Sequence, residues 1–146
     1  MTVELWDGEG QVLADTSAWI VARRIPGARE RFLAAVERGD ISWCWPVRYE
    51  LMVDARDSEA IAVVDRTLEG LRQIAVDRAV QRGVLAAMRK LAANGPDGAH
   101  RLPLADLTVG VAAQQAGIDI LHHDQHFDRL SALLEVRSLW IAQPAD

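Results

Sequence analysis

Two aspartates follow short apolar runs of the type that forms buried strands. Asp15 comes directly after residues 11–14, and Asp124 follows residues 118–121. Ligands of open α/β sheets bind outside the carboxyl ends of the strands, so we expect both carboxylates to face one crevice. Carboxylates held close together repel each other unless a cation neutralises them or one is protonated. A hard divalent ion such as Mg²⁺ or Mn²⁺ is the usual partner, and it can catalyse phosphodiester hydrolysis by activating water.

Two further acids, Asp106 and Glu50, lie on predicted helices beside strands. Asp106 is in the first turn of a helix that begins after Pro103 and ends at Gly117, and a right-handed crossover would bring this turn towards Asp124. Each acid taken alone has a plainer explanation. An aspartate between a strand and a helix is often only an N-cap, and a helical glutamate is often simply solvated. The metal-site hypothesis is favoured because two independent acids fall at the same predicted edge of the sheet.

The elements that must position these acids alternate between short apolar strands and amphipathic helices. Apolar strands without strict alternation are typical of a parallel sheet covered on both faces. We therefore predict a single α/β domain over residues 1–146, with its core at about 11–141 and a central parallel sheet of four to five short strands flanked by helices. The predicted strands lie at residues 11–14, 41–45, 72–76, 118–121 and 136–141.

Local signals refine this outline. A helix is predicted at residues 28–38, and Ser58 is predicted to cap a later helix. Trp43 and Trp45 are two residues apart on a predicted strand, so they should share a face and pack in the core. Residues 1–10 are expected to be a loose lead-in or a short edge extension of the sheet, and residues 143–146 are expected to fray.

Composition limits the classes of protein that fit. The 146 residues carry a net charge of −5, which argues against holding nucleic acid by overall charge but not against an enzyme with clustered basic residues. No apolar run approaches the ~20 residues of a membrane span, and the first residues lack the features of a secretory signal, so a cytoplasmic location is expected. Cys44 is the single cysteine, which excludes an internal disulfide framework.

The blocks around the four acids resemble the PIN-domain family and, within it, the VapC toxins of toxin–antitoxin pairs. The resemblance runs from about residue 11 to residue 141, and the order, spacing and context of all four acids match. The last two blocks together are specific, whereas the second is weak alone. The blocks are LADTSAWI, VRYELMVDAR, LPLADLTVGVAAQQAG and IDILHHDQHFDRL.

The resemblance implies an endoribonuclease in which metal-activated water attacks a phosphodiester of tRNA or another structured RNA. Asp15, Glu50, Asp106 and Asp124 take the metal-binding and catalytic roles, with one or two Mg²⁺ or Mn²⁺ ions. Ser17 matches a small hydroxyl that holds a metal-bound water or orients the first acid. The resemblance also implies a homodimer, inhibited by a cognate VapB-like antitoxin that occupies the acidic pocket.

One position departs from the family pattern. Two residues after the last aspartate, many relatives carry another acid, but this chain has His126. That change would either weaken a second metal position or offer a nitrogen ligand. Zinc is an alternative because His122, His123 and His126 crowd around Asp124, although their spacing is not a recognisable zinc pattern.

Three arginines, Arg78, Arg82 and Arg89, fall on one side of a predicted helix at residues 77–92. Their positions, at 100° per residue, span about 40°. They form either a solvated outer face or a track for the RNA backbone, since basic groups supply most of the affinity for phosphates.

Two other functions use the same fold. One is a PIN-type nuclease that acts in RNA maturation or on DNA with the same four acids. The other is a catalytically silent PIN-like binding module, against which the intact set of acids argues.

Overall fold

A computed structural model describes residues 3–144, so the predicted frayed tail lies partly outside the described residues. The strands are β1 (Val12–Ala14), β2 (Ile41–Cys44), β3 (Arg72–Ile74), β4 (Asp119–His122) and β5 (Ser138–Trp140). The helices are α1 (Thr16–Arg24), α2 (Pro26–Arg38), α3 (Trp45–Asp54), α4 (Ser58–Glu69), α5 (Arg78–Asn94), α6 (Leu104–Ala116) and α7 (His126–Leu133).

The five strands form one parallel sheet in the order β3-β2-β1-β4-β5. The predicted α/β architecture with a central parallel sheet is therefore confirmed. Chain order runs outward from β1 through β2 to β3 on one side and from β4 to β5 on the other. The direction of winding thus reverses between β1 and β4, and the carboxyl ends of these two strands flank the crevice where such sheets bind ligands. The bounds of the domain stay a prediction.

Burial explains why the central strands are apolar on both faces. All three residues of β1 and all four of β2 are buried. Because successive side chains of a strand point to opposite faces, the sheet must be covered on both sides. α6 is the most enclosed helix, with eight consecutive buried residues from Asp106 to Ala113. No helix within residues 3–144 is both long and apolar enough to cross a membrane.

Helix ends follow local capping chemistry, with two corrections. Gly117, with φ of 70°, ends α6 in the left-handed region that glycine adopts without strain, and β4 follows at once. Asp57, not Ser58, caps α4, because its carboxylate accepts the Ala60 N–H at 2.9 Å. α2 begins at Pro26 rather than at residue 28, since proline fits the first helical turn, where no N–H bond is needed.

The two tryptophans around the end of β2 have different environments, so the shared core face predicted for them is wrong. Trp43 is buried and its Nε1 donates to the Leu68 carbonyl at 2.7 Å. Trp45 is 61 % exposed and stacks on Tyr49. The strand ends at Cys44, because Pro46 favours a helix start and the side-chain period changes from two to 3.6 at that point.

The first residues extend the edge of the sheet. Leu5 forms an isolated parallel bridge with Trp140, and the Trp6 N–H donates to the Trp140 carbonyl at 2.8 Å. The Trp6 side chain is buried against Phe32. Of the two interpretations of residues 1–10, the short edge extension therefore fits the described part of this segment.

Candidate metal centre

Asp15 lies where β1 ends and α1 begins, and it is held in place by Ser17. Asp15 Oδ2 accepts the Ser17 backbone N–H at 3.1 Å and the Ser17 hydroxyl at 2.7 Å. The Ser17 hydroxyl in turn accepts the His123 N–H at 2.9 Å, which links α1 to the segment after β4. Asp15 is therefore the N-cap of α1, as the plain explanation has it, and its carboxylate is also fixed at the crevice, while its role as a metal ligand stays a prediction.

The second oxygen of the same carboxylate has no partner. Asp15 is 4 % exposed, and its Oδ1 makes no hydrogen bond within the described part of the chain. The pKa of Asp15 is raised to about 6: burial makes the largest contribution, the Ser17 hydrogen bonds oppose it, and the charges of Asp106 and Glu50 add to it. A buried oxygen without a donor is costly, and a cation is the partner that a carboxylate accepts most readily.

Asp106, Asp124 and His126 form the tightest group of possible ligands. One ligand atom from each of these three residues lies within 4.8 Å of the others. His126 Nδ1 is 2.7 Å from Asp106 Oδ2 and 3.4 Å from Asp124 Oδ1. The His126 backbone N–H also donates to Asp124 Oδ1 at 3.0 Å. α6 thus supplies Asp106, α7 supplies the His126 imidazole, and the turn between β4 and α7 supplies Asp124.

The pKa of Asp106 is raised for the same physical reasons. Burial makes the largest contribution, the hydrogen bond from His126 lowers the pKa, and the neighbouring charges of Asp124 and Glu50 raise it. The free protein therefore holds negative charge in a place where water cannot fully solvate it. A divalent ion would remove this cost, and the oxygen-rich donor set with one ring nitrogen fits such an ion.

Glu50 lies on α3 at the same crevice, outside the group of three. Its Oε1 accepts the Thr16 hydroxyl at 2.7 Å, and its charge acts on both Asp15 and Asp106. A supporting role for Thr16 was not among the predictions from the sequence. Its position directly after Asp15, at a helix start, was the available signal, since a hydroxyl there can orient a neighbouring acid.

The four acids of the crevice are not paired with arginine or lysine in the part of the chain that the structure describes. Within residues 3–144, His126 is the only cationic candidate that touches them. Other acids of the chain do pair with arginines, so the lack of such pairs is specific to this place. The acids of the crevice are thus left for a cation from solution.

The three histidines near Asp124 do not converge on one point. His122 is fully buried between Phe127 and Trp140, and burial lowers its pKa to about 4. Its Nδ1 accepts the Asp124 N–H at 3.1 Å, so the neutral ring shapes the turn after β4. The His123 ring packs on Trp140 instead. A zinc site made of these three rings is therefore not assembled.

The three predicted RNA-binding arginines are exposed along α5. Arg78, Arg82 and Arg89 form no ion pair with the described acids, and the buried residues Val80 and Val84 lie on the opposite side of the helix. This placement fits a solvated face and an RNA track equally well.

Comparison with known proteins agrees with this architecture. The family profile described as PIN domain matches residues 12–133. Ribonuclease VapC18 of Mycobacterium tuberculosis is 31% identical over 127 residues, which cover 87% of this chain and 92% of that protein. Ribonuclease VapC21 of the same species is 30% identical over 135 residues, covering 90% and 94%.

Solved structures share the fold at low sequence identity. DNA-bound VapBC from Salmonella typhimurium gives a TM-score of 0.70 at 16% identity, covering 92% of this chain and 100% of that chain. VapBC-1 from nontypeable Haemophilus influenzae gives 0.69 at 13% identity, covering 90% and 98%.

Proposed function

The chain belongs to the PIN-domain family, and from this membership and the geometry of the crevice we propose that it is a metal-dependent endoribonuclease, the toxin of a toxin–antitoxin pair. The observation that carries the proposal is the set of buried and half-buried acids, without arginine or lysine, where the winding of the sheet reverses. Relatives named ribonuclease VapC supply the substrate class.

Each crevice residue has a role in this proposal. Asp106 and Asp124 hold a Mg²⁺ or Mn²⁺ ion, and Asp15 and Glu50 complete the site on the side of β1 and α3. Ser17 orients Asp15 through its two hydrogen bonds. A divalent ion bound there supplies a water activated as a nucleophile and neutralises charge on the phosphodiester. The enclosed position of Asp15 keeps bulk water from screening these charges.

Partners follow from the same relatives. The solved neighbours are complexes named VapBC, so we propose a VapB-like antitoxin that covers the crevice, and a homodimer of this chain in the cytoplasm. tRNA or another structured RNA is the proposed substrate. Arg78, Arg82 and Arg89 are the proposed contacts to its backbone, because they are exposed and are not neutralised by ion pairs with the described acids.

The test is cleavage of a pool of cellular RNA, including tRNA, by the purified chain freed of any partner. Reactions contain Mg²⁺, Mn²⁺ or chelator, beside Asp15→Asn and, as a matched control, Asp40→Asn, a half-buried acid outside the crevice that pairs with Arg38. We expect discrete cuts that need metal, persist in Asp40→Asn and vanish in Asp15→Asn. Cleavage of DNA alone would favour the alternative nuclease. If the folded chain cleaves nothing with any metal, the interpretation as a catalytically silent binding module is favoured.

The arginine track has its own test. Replacing Arg78, Arg82 and Arg89 with serine should weaken RNA binding and reduce the slope of log affinity against log salt by about 2. The control variant has serine in place of Arg24, Arg29 and Arg66, which are also exposed, so its net charge changes by the same amount as in the test variant. Equal losses in both triple variants would mean that only overall charge matters and would reject the track.

A further inference from the structure

We propose that His126 is itself a metal ligand through Nδ1, and that it biases this site towards transition ions such as Mn²⁺ and Co²⁺ over Mg²⁺. The inference rests on the proposed function, because it concerns the same metal site. It goes further by assigning a nitrogen ligand and an order of ion preference to this particular chain.

The geometry places Nδ1 among the carboxylates. It lies 2.7 Å from Asp106 Oδ2 and 3.4 Å from Asp124 Oδ1, so it faces the same small volume that these oxygens face. The backbone N–H of His126 donates to Asp124 Oδ1, which fixes the residue at the start of α7. A cation held by both carboxylates would therefore meet Nδ1 without any rearrangement of the backbone.

A second observation points independently to a bound cation. Asp15 Oδ1 is buried and has no donor within residues 3–144, while Asp15 Oδ2 is fully engaged by Ser17. The charge of Asp15 acts on the same cluster through Asp106. The crevice thus offers negative charge and an unused oxygen beside the group that contains Nδ1.

The chemistry of the ligand atoms determines which ion binds this site more tightly. Mg²⁺ requires a near-octahedral oxygen shell and loses its waters reluctantly. First-row transition ions accept imidazole, and their affinity for nitrogen-containing sites rises from Mn²⁺ to Co²⁺. An all-carboxylate site would keep only a weaker preference of this kind. We expect the ratio of Mn²⁺ affinity to Mg²⁺ affinity to be about tenfold higher in the wild type than in an all-oxygen variant. The ratio of Co²⁺ affinity to Mg²⁺ affinity should differ between the two proteins by a larger factor.

The opposing explanation is that His126 is only a hydrogen-bond partner that takes the place of a cation in the free protein. The two explanations differ in the ion-loaded protein. A ligand nitrogen is coupled magnetically to bound Mn²⁺, whereas a displaced hydrogen-bond partner is not.

The experiment measures binding, not cleavage. Free Mn²⁺ is followed by electron paramagnetic resonance, with Mg²⁺ as competitor, and Co²⁺ is titrated by its visible spectrum. The proteins are wild type, His126→Asp, which makes the donor set all oxygen, and His126→Gln, which removes the imidazole without adding charge. His123→Gln is the matched control, because its ring packs on Trp140 outside the cluster.

We expect wild type and His123→Gln to show a nitrogen coupling to bound Mn²⁺ in pulsed spectra, and both His126 variants to lack it. Labelling histidines with ¹⁵N in the wild type must change the coupling, which tests the proposal even if a variant fails to fold. An Mn²⁺ spectrum without histidine nitrogen, or an unchanged ion ratio in His126→Asp, overturns it. Because RNA cleavage is assayed separately, metal-dependent cutting without nitrogen coupling rejects this inference alone, and nitrogen coupling without cutting rejects the ribonuclease alone.

Discussion

The two ends of β4 carry acids in opposite electrostatic settings. At the amino end, Asp119 lies 3.3 Å from Arg137, which also pairs with Glu4. At the carboxyl end, Asp124 and Asp106 have no arginine or lysine among the described residues, and only His126 contacts them. The same strand therefore separates a neutralised surface cluster from one that retains its negative charge.

Burial turns this difference into energy. Asp119 and Arg137 are partly open to water, where ion pairs contribute little. Asp15 and Asp106 are buried, so their charges interact through a medium of lower dielectric constant and are expensive to keep. A protein that keeps such a cluster gives up stability for it, and binding of a divalent cation is the physical reason that fits the donor set.

The largest expected effect is a loss of RNA cleavage when an acid at the carboxyl end of β4 is replaced, compared with an acid at its amino end. Asp124→Asn should reduce RNA cleavage at least about a hundredfold, because metal-based stabilisation of the transition state amounts to several kcal/mol and 1.36 kcal/mol is a factor of ten. Asp119→Asn, five residues away, should stay within about twofold of wild type. Initial rates at saturating metal measure both, and comparable losses in the two variants would contradict the assignment of the carboxyl end.

The next effect is stabilisation by metal. Mn²⁺ at a hundred times its Kd should stabilise the wild type by about 2.7 kcal/mol, which raises Tm by about 8 °C in a chain of this size. Asp106→Asn should lose most of this rise, and Asp119→Asn should keep it. Thermal unfolding followed by circular dichroism gives the three shifts, and a rise retained in Asp106→Asn would place the ion elsewhere.

A smaller effect appears without metal. Asp15→Asn should stabilise the chelator-treated protein by about 3 kcal/mol at neutral pH, because it removes a buried charge while keeping an oxygen for Ser17. The folded pKa of Asp15 is about 6 against 3.8 ordinarily. Its contribution to stability is therefore complete below about 4 and is lost as pH rises through 6.

Urea unfolding of wild type and Asp15→Asn between pH 4 and pH 8 tests this sign. The difference in free energy of unfolding should grow with pH and then level off. If the variant is less stable than the wild type at pH 7 in chelator, the charge of Asp15 does not destabilise the metal-free protein.

The smallest effect belongs to the surface cluster. Arg137→Ala removes the contacts to Glu4 and Asp119 and should cost less than about 1 kcal/mol, with the cost falling as salt increases. Urea unfolding at low and high salt measures it. A cost above about 1 kcal/mol that persists at high salt would contradict the weak surface pairing assigned to this end of β4.

Local chemistry explains which parts of the fold were predictable. The five strands, the parallel sheet and the helix that ends at Gly117 follow from apolar runs, period and caps, all of which act over a few residues. The predictions failed where two local signals competed. Trp45 fits a strand pattern by spacing, but Pro46 begins a helix there, so its side chain turns to solvent.

The candidate site was predictable only in part. Asp15 and Asp124 could be placed at one edge because each follows a strand, and a right-handed crossover indicated that Asp106 lies nearby. The family resemblance added support for Glu50 and for the set of four. The contact between His126 and Asp106 could not be foreseen in this way, since it joins the starts of two helices twenty residues apart. The burial of His122 between two aromatic rings was hidden for the same reason.

The sequence by itself determined the order of strands and helices, the acids at the strand ends and membership of the PIN-domain family, because these depend on neighbours along the chain. Only the tertiary structure decided that β1 pairs with β4 and that His126 contacts Asp106 and Asp124. It also decided that, among the described residues, the four acids lie near one another without an ion pair to arginine or lysine. Strand order and helix packing bring together residues up to about a hundred positions apart. No local pattern encodes such distances, so the electrostatic setting of the site appears only in the folded chain.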